Sequence, residues 1–192
     1  MNYLKNLKEY LQIINDIIQN SKLENLEILF DTLNSHFENK SRLFLAGNGG
    51  SASIASHATT DIKKIRKNKN TINAICLNEN ISSITALSND EGYENYLVNQ
   101  IINFEVDEND SLIVISSSGN SDNVINLVNY CKEKNAKTFA LIGFDGGKLN
   151  STADFPILLN SKRHYYGPVE DAHMMIFHLF AHLVKNDLDE LS

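Results

Sequence analysis

The sequence predicts an α/β fold: a doubly wound, five-stranded parallel sheet preceded by two helices. Three observations predict it. Short runs of β-branched and aromatic residues recur at "RLFLAG" (42–47), "TINAICL" (71–77), "SLIVIS" (111–116), "KTFALIG" (137–143) and "DFPILL" (154–159). Helical periodicity separates most of these runs, as a parallel sheet with helices on both faces requires. Loops rich in Gly, Ser and Asn follow the first, third and fourth runs, at the carboxyl ends of strands, where such sheets bind ligands.

Taken in order, residues 3 to 20 carry Leu4, Leu7, Leu11, Ile14, Ile17 and Ile18 at helical spacing, and residues 22 to 39 carry Leu26, Leu29, Phe30 and Leu33. Ser21 followed by Glu24 predicts a capping box at the start of the second helix. The five strands follow, and a last apolar helix covers roughly Val169 to Lys185. There is no fixed-period repeat or low-complexity tract, and only two prolines occur. The expected organisation is therefore one domain over 1–192, a helical pair at 1–40 and an α/β core at 41–192.

Composition narrows the function. At 192 residues, 42% of them hydrophobic, the chain can bury a full core. The balance of 17 basic against 24 acidic residues gives a net charge of −7, and Lys63, Lys64, Arg66, Lys67 and Lys69 form the one dense basic run. Nucleic acid is thus not expected as a main partner. No window nears the roughly 20 apolar residues of a membrane span, and "MNYLKNLKEYL" is amphipathic rather than signal-like, so a soluble, unprocessed, cytoplasmic protein is expected. Cys76 and Cys131, far apart and outside any CxxC spacing, read as buried thiols of a reducing compartment.

The stretch "SLIVISSSGNSDNV" is the most informative. A buried strand ends in Ser116, Ser117, Ser118 and, past Gly119 and Asn120, Ser121, where a helix begins. Helix amino termini offer unpaired N–H groups and partial positive charge, hydroxyls add donors, and glycine permits close approach; together they suit a phosphate. A polar turn with Ser121 as N-cap is the structural alternative. "GNGGS" at 47–51 lacks the dinucleotide spacing, and no acidic residue ends the second strand, which disfavours a nicotinamide cofactor. A small phosphorylated ligand remains, with Asn48 offering its amide to a sugar hydroxyl and Gly49, Gly50 and Ser51 as further candidate binding residues; a tight turn without a ligand is the alternative for the two glycines.

Metal-type ligands form a second constellation. His57 and Asp61 are four apart on the helix after "GNGGS"; Glu170, His173 and His178 lie on the last helix. The two imidazoles of His57 and His178 and the two carboxylates of Asp61 and Glu170 suit Zn²⁺ or a similar divalent ion, with His173, one turn from Glu170, as a candidate further ligand, although H-x-x-x-D spacing also arises by chance. His164 and His182 read as core or surface residues.

"LAGNGGSASIASH", "LSND", "ISSSGNSDNV", "LIGFDGGK" and "VEDAHMMIFHLF" occur in the order and spacing of the sugar isomerase (SIS) domain. The chain resembles the phosphoheptose isomerase type of that family over nearly its whole length. The resemblance implies a flavodoxin-like SIS fold and conversion of sedoheptulose 7-phosphate to D-glycero-D-manno-heptose 7-phosphate, for lipopolysaccharide, capsule or another surface glycan. It further implies that the serines of "SSSGNS" bind phosphate and that Asn48, Asn89 and Asp90 contact the sugar. His57, Asp61, Glu170 and His178 fall where the family places zinc ligands, and Asp61 and His178 also where it places its acid/base pair. The resemblance and the apolar stripes of the first two helices together imply a homotetramer. The chain departs from the family pattern in having Asp61 for Glu, Glu170 for Gln, and Ile65, beside Arg66, for an arginine.

Isomerisation needs a base to move a proton between C1 and C2, an electrophile at the carbonyl and a group for the hydroxyl proton. Asp61 is the expected base, His178 the acid and the divalent ion the electrophile, with no organic cofactor. The alternatives are an isomerase of another sugar phosphate and a non-catalytic SIS-fold protein resembling the DnaA initiator-associating protein, which has no need of His57, Asp61 and His178. A phosphosugar-sensing regulator would append an output module for which 192 residues leave no room.

Overall fold

In a computed structural model, which describes residues 2–39, 41–67 and 69–185, the five apolar runs form one sheet. The strands are β1 (Arg42–Gly47), β2 (Asn73–Cys76), β3 (Ser111–Ser116), β4 (Lys137–Phe144) and β5 (Phe155–Asn160), all parallel, in the order β2-β1-β3-β4-β5. The doubly wound sheet is as expected. Its strand order reverses between β1 and β3, so the crevice for ligands opens where these two strands end.

The central strands β1, β3 and β4 are apolar between their ends because both faces are covered. On one face, β1, β3 and β4 pack against α1 (Tyr3–Gln19), α2 (Leu26–Asn39), α3 (Gly50–Lys64) and α8 (Tyr166–Lys185), through residues such as Ile17, Leu33, Ile62, Ile115, Leu141 and Phe177. The other face packs against α5 (Tyr96–Ile101), α6 (Asp122–Glu133) and α7 (Leu149–Thr152), through Leu97, Val114, Val128 and Leu149. Side chains alternate strictly, Ile113 and Ile115 to the first face, Leu112 and Val114 to the second. Between β2 and α5, α4 (Ile81–Glu91) buries none of its residues.

The edge strand β5 accommodates Pro156 because only one of its sides pairs with a neighbouring strand. The approach to α2 differs from the capping box expected at Ser21 and Glu24. Lys22 forms a bridge to Leu158 of β5, and the Ser21 hydroxyl accepts the Asn160 N–H while donating to the Ile17 carbonyl. Covering an otherwise open sheet edge outweighs one extra helical turn, so α2 starts at Leu26. Both cysteines are buried and free, Cys76 in β2 and Cys131 in α6, and burial pushes the Cys131 thiol up to about 12.

Candidate active site at the switch point

The serine loop leaves β3 as a tight, largely buried turn. The Ser116 hydroxyl accepts the Gly119 N–H at 3.1 Å, closing a side-chain turn. Gly119 takes φ +63°, and a Cβ there would lie 2.0 Å from the Gly146 carbonyl oxygen. Ser121 occupies the N-cap of α6, yet its side chain makes no capping bond. Its hydroxyl is left for another acceptor at a helix N-terminus, as an anion site needs. The loop after β4 ("FDGGK") turned out to serve the serine loop. The Leu149 N–H donates to the Gly119 carbonyl at 3.0 Å, the Lys148 N–H to Asn120 Oδ1 at 3.1 Å, and Asn120 Nδ2 to the Ser118 carbonyl at 2.9 Å. It braces the turn from behind.

Across the switch point, Asn48 follows β1 and Gly49 turns the chain into α3 with φ +54°. The Asn48 amide pairs reciprocally with that of Asn123 on the first turn of α6, each Nδ2 donating to the other Oδ1 at 2.9 Å. Tyr93 adds a third bond, its hydroxyl donating to Asn48 Oδ1 at 2.9 Å. The pair ties the "GNGGS" turn to the serine loop and fixes the width of the crevice. The side chain of Asn78 bonds the Gly47 backbone at both N–H and carbonyl, 3.0 Å each, and donates to the Tyr96 hydroxyl. Asn78, Tyr93 and Asn123 escaped the sequence reading: Asn78 and Tyr93 stand outside the quoted motifs, and Asn123, although inside "SSSGNSDNV", gives no sign of its partner Asn48 until the fold brings them together.

Asn89 and Asp90 end α4 exposed, and they bond each other at 2.8 Å. The same segment reaches the crevice through Tyr93.

Further along α3, His57, Asp61 and His178 converge. The His57 and His178 Nε2 atoms lie 3.0 and 3.8 Å from Asp61 Oδ2 and 3.3 Å from each other. Four ligands at 2.0–2.1 Å around a tetrahedral zinc are separated by about 3.3–3.4 Å, so this triangle fits three corners of such a site and leaves the fourth open. His57 and Asp61 border a groove of about 560 Å³ that also includes Ser53, Ser56, Thr60 and Asn78, and His178 with Asp61 lines a smaller hollow beside it; the two imidazoles are about half-exposed and the carboxylate is partly buried.

Glu170 does not join them. Helices α3 and α8 run side by side in the same direction, and Glu170 lies beside Gly50, where a Cβ would come within 2.3 Å of Glu170 Oε2. From there to the level of His57 and His178 is about 10 Å of helix. Burial, with Asp171 adjacent, raises the Glu170 pKa. Tyr10 of α1 donates to Asp171 Oδ2 at 2.6 Å, and this end of α8 is thereby pinned. His173, considered as a further ligand, is fully buried against the sheet rather than turned to the cluster. Burial pushes its pKa down to about 4.

The family profile of the SIS domain matches residues 2–143. The phosphoheptose isomerase of Helicobacter pylori (strain ATCC 700392 / 26695) is 32% identical over 179 residues, 93% of this chain and 90% of that protein. That of Clostridium acetobutylicum is 32% identical over 167 residues, 86% and 84% of the two chains. Among solved structures, the phosphoheptose isomerase GmhA of Neisseria gonorrhoeae superposes with a TM-score of 0.82 at 25% identity, covering 96% of this chain and 97% of its own. The chain therefore belongs to the SIS domain family and, within it, to the phosphoheptose isomerases.

Proposed function

We propose that the protein is an aldose–ketose isomerase that converts sedoheptulose 7-phosphate to D-glycero-D-manno-heptose 7-phosphate. The observation that carries the proposal is the convergence of His57, Asp61 and His178, two imidazole nitrogens and a carboxylate oxygen within 4.8 Å of one another, in the chain whose relatives bear that name. The serine loop anchors the phosphate through Ser116, Ser117, Ser118 and Ser121, Ser117 by its backbone N–H and the others by backbone N–H groups and hydroxyls, together with the N-terminus of α6. Asn48 with Gly49, Gly50 and Ser51, and Asn89 with Asp90, hold the sugar hydroxyls. The helix α3 carries the site from Gly50 to His57 over about 10 Å, so a phosphate held at the strand ends leaves the far end of an extended sugar near Asp61.

There Asp61 takes the proton from C1 of the open-chain ketose and returns it at C2, while His178 passes the proton between the O1 and O2 hydroxyls. Side chains that keep partial access to solvent suit a base and an acid that must exchange protons with each turnover. Phosphate binding supplies the positioning of C1 and C2 against Asp61. A zinc or similar divalent ion held by His57, Asp61 and His178 would polarise the carbonyl oxygen; Glu170 could complete the set only by a movement of its side chain or of α8. No step requires an organic cofactor.

A homotetramer suits the surface: Tyr3, Leu4, Leu7 and Leu11 on α1 and Met175, Leu179 and Leu183 on α8 are exposed apolar residues in helical register. Among the described residues no helix is long and apolar enough to cross a membrane, in keeping with a cytoplasmic enzyme supplying heptose for lipopolysaccharide or capsule. Incubating purified protein with sedoheptulose 7-phosphate and following the aldose by chromatography tests the proposal. A protein that turns over a different ketose phosphate, with sedoheptulose 7-phosphate untouched, would move the assignment to another isomerase; no turnover of any would favour a binding protein.

A further inference from the structure

Two polar side chains that the mechanism does not use as acid or base are fully enclosed without a protein partner. The Ser117 hydroxyl is buried and makes no hydrogen bond; so are both ring nitrogens of His173, which is 0% exposed. The Ile142 backbone borders that ring, but neither nitrogen reaches it in a well-formed hydrogen bond. Burying an imidazole or a hydroxyl unpaired is costly, and buried polar groups nearly always find a partner in protein or ordered water.

The two orphans lie on the same side of the sheet. Alternation along β3 sends Ile113 and Ile115 toward α3 and α8, and Ser117 directly follows the strand's last residue, Ser116. Ser116 pairs in register with Ile142, which sets Ser117 beside Gly143. At Gly143, a Cβ would meet Val169 Cγ1 at 2.5 Å and the Ser117 carbonyl oxygen at 2.9 Å, so Ser117 and α8 both close on this glycine. His173 is one helical turn beyond Val169 and hence on the same face of α8. Both unpaired groups therefore border one small region over the carboxyl end of β4.

We propose that the Ser117 hydroxyl and the His173 imidazole are hydrogen-bonded through one buried water, a link that makes His173 a positioning residue for the serine loop. An imidazole suits the role because, when neutral, it offers one donor and one acceptor, and a water accepts or donates to match. The link fastens the phosphate loop to α8, the helix that carries His178, so the anchor for the phosphate and the acid for the sugar keep one spacing. It rests on the reading of the serine loop as phosphate anchor only for its effect on binding; its effect on stability does not depend on that reading.

A double-mutant cycle tests it on the full chain, with Ser117→Ala, His173→Met and the two combined, and His173→Gln as the conservative variant. Unfolding is followed without ligand, and affinity for inorganic phosphate is measured by calorimetry. Each single replacement strands the other partner and should weaken phosphate binding about tenfold and lower the unfolding midpoint, whereas the double variant should be no worse than the poorer single one. His173→Gln, which keeps a donor and an acceptor, should remain within about twofold of the parent. If His173→Met does not fold, His173→Leu replaces it in the same cycle. Losses that add independently, or a His173→Met protein as stable and as tightly phosphate-binding as the parent, would overturn the link. Coupling in the unfolding midpoint of a parent that binds no phosphate would support the link and remove the phosphate anchor instead.

Discussion

The Nε2 atoms of His57 and His178 face each other at 3.3 Å, with ring planes 73° apart, although 121 positions separate the two residues in the chain. Both also address the same oxygen of Asp61. Two imidazole nitrogens and a carboxylate oxygen within 4.8 Å of one another offer three donor atoms to one point, as a shared cation requires. In the proposed mechanism, metal capture and proton handling fall on the same side chains.

Replacing His178 with alanine removes a ligand and the proposed acid together. Turnover should fall by about 10²–10⁴-fold, the usual range for a general acid–base group, and zinc retained after dialysis should fall with it in elemental analysis. Asp61→Asn should lose turnover to a similar degree, because an amide cannot accept the C1 proton. Full activity in Asp61→Asn would remove the base.

At the serine loop, replacing Ser118 and Ser121 together with alanine should raise KM about tenfold or more, with kcat nearly unchanged, since donors to a remote anion act mainly on binding. The fold should be intact, because Ser121 makes no capping bond. Gly119→Ala is the contrasting case. Its positive φ, and the Gly146 carbonyl oxygen 2.0 Å from the added Cβ, should break the turn and lower the melting temperature as well.

How much of this was legible in the sequence follows from what each signal depends on. Strand runs and the helical stripes of α1 and α8 announce themselves by periodicity, which burial dictates locally. The pairing of His57 and Asp61 was visible because a helix puts residues four apart on one face. Placing Glu170 with them assumed that helical face alone decides contact, when the parallel course of α3 and α8 sets it at the level of Gly50. The capping box failed for a similar reason, since Ser21 and Lys22 are drawn to the edge of β5. Asn123 reads as an ordinary first-turn residue and becomes part of the site only when β1 and β3 end side by side. Burial of His173 was equally hidden, a histidine one turn from an acid being indistinguishable by spacing from a ligand.

Stability should depend on pH through the buried histidines. Burial holds His173 at about 4 and also lowers His36, so both are neutral in the folded protein at pH 7, whereas in the unfolded chain they protonate near 6.5. Between these values the unfolded state takes up the proton and gains. Stability is therefore full above about pH 6.5 and declines as the pH falls toward 4, by up to about 3 kcal/mol for His173. Urea titrations at intervals from pH 7.5 to 4.5 check this, and His173→Met should flatten the profile. An unchanged slope in that variant would contradict a neutral, buried imidazole.

Assembly should respond to α1. Leu7 is exposed within the apolar stripe of Leu4, Leu7 and Leu11, so Leu7→Asp should shift light-scattering mass toward smaller species while secondary structure is retained. A parent that is monomeric at micromolar concentration would contradict the tetramer.

The central claim is proton transfer between C1 and C2 of sedoheptulose 7-phosphate, and proton NMR of the reaction in D₂O addresses it most directly. A base that lifts the C1 proton and returns it at C2 exchanges some of it with solvent, so the aldose formed should carry deuterium at C2 and residual ketose should acquire it at C1. Asp61→Asn should show neither. An aldose formed with no solvent deuterium at C2, or a ketose recovered unlabelled and unconverted from the parent protein, would contradict the account.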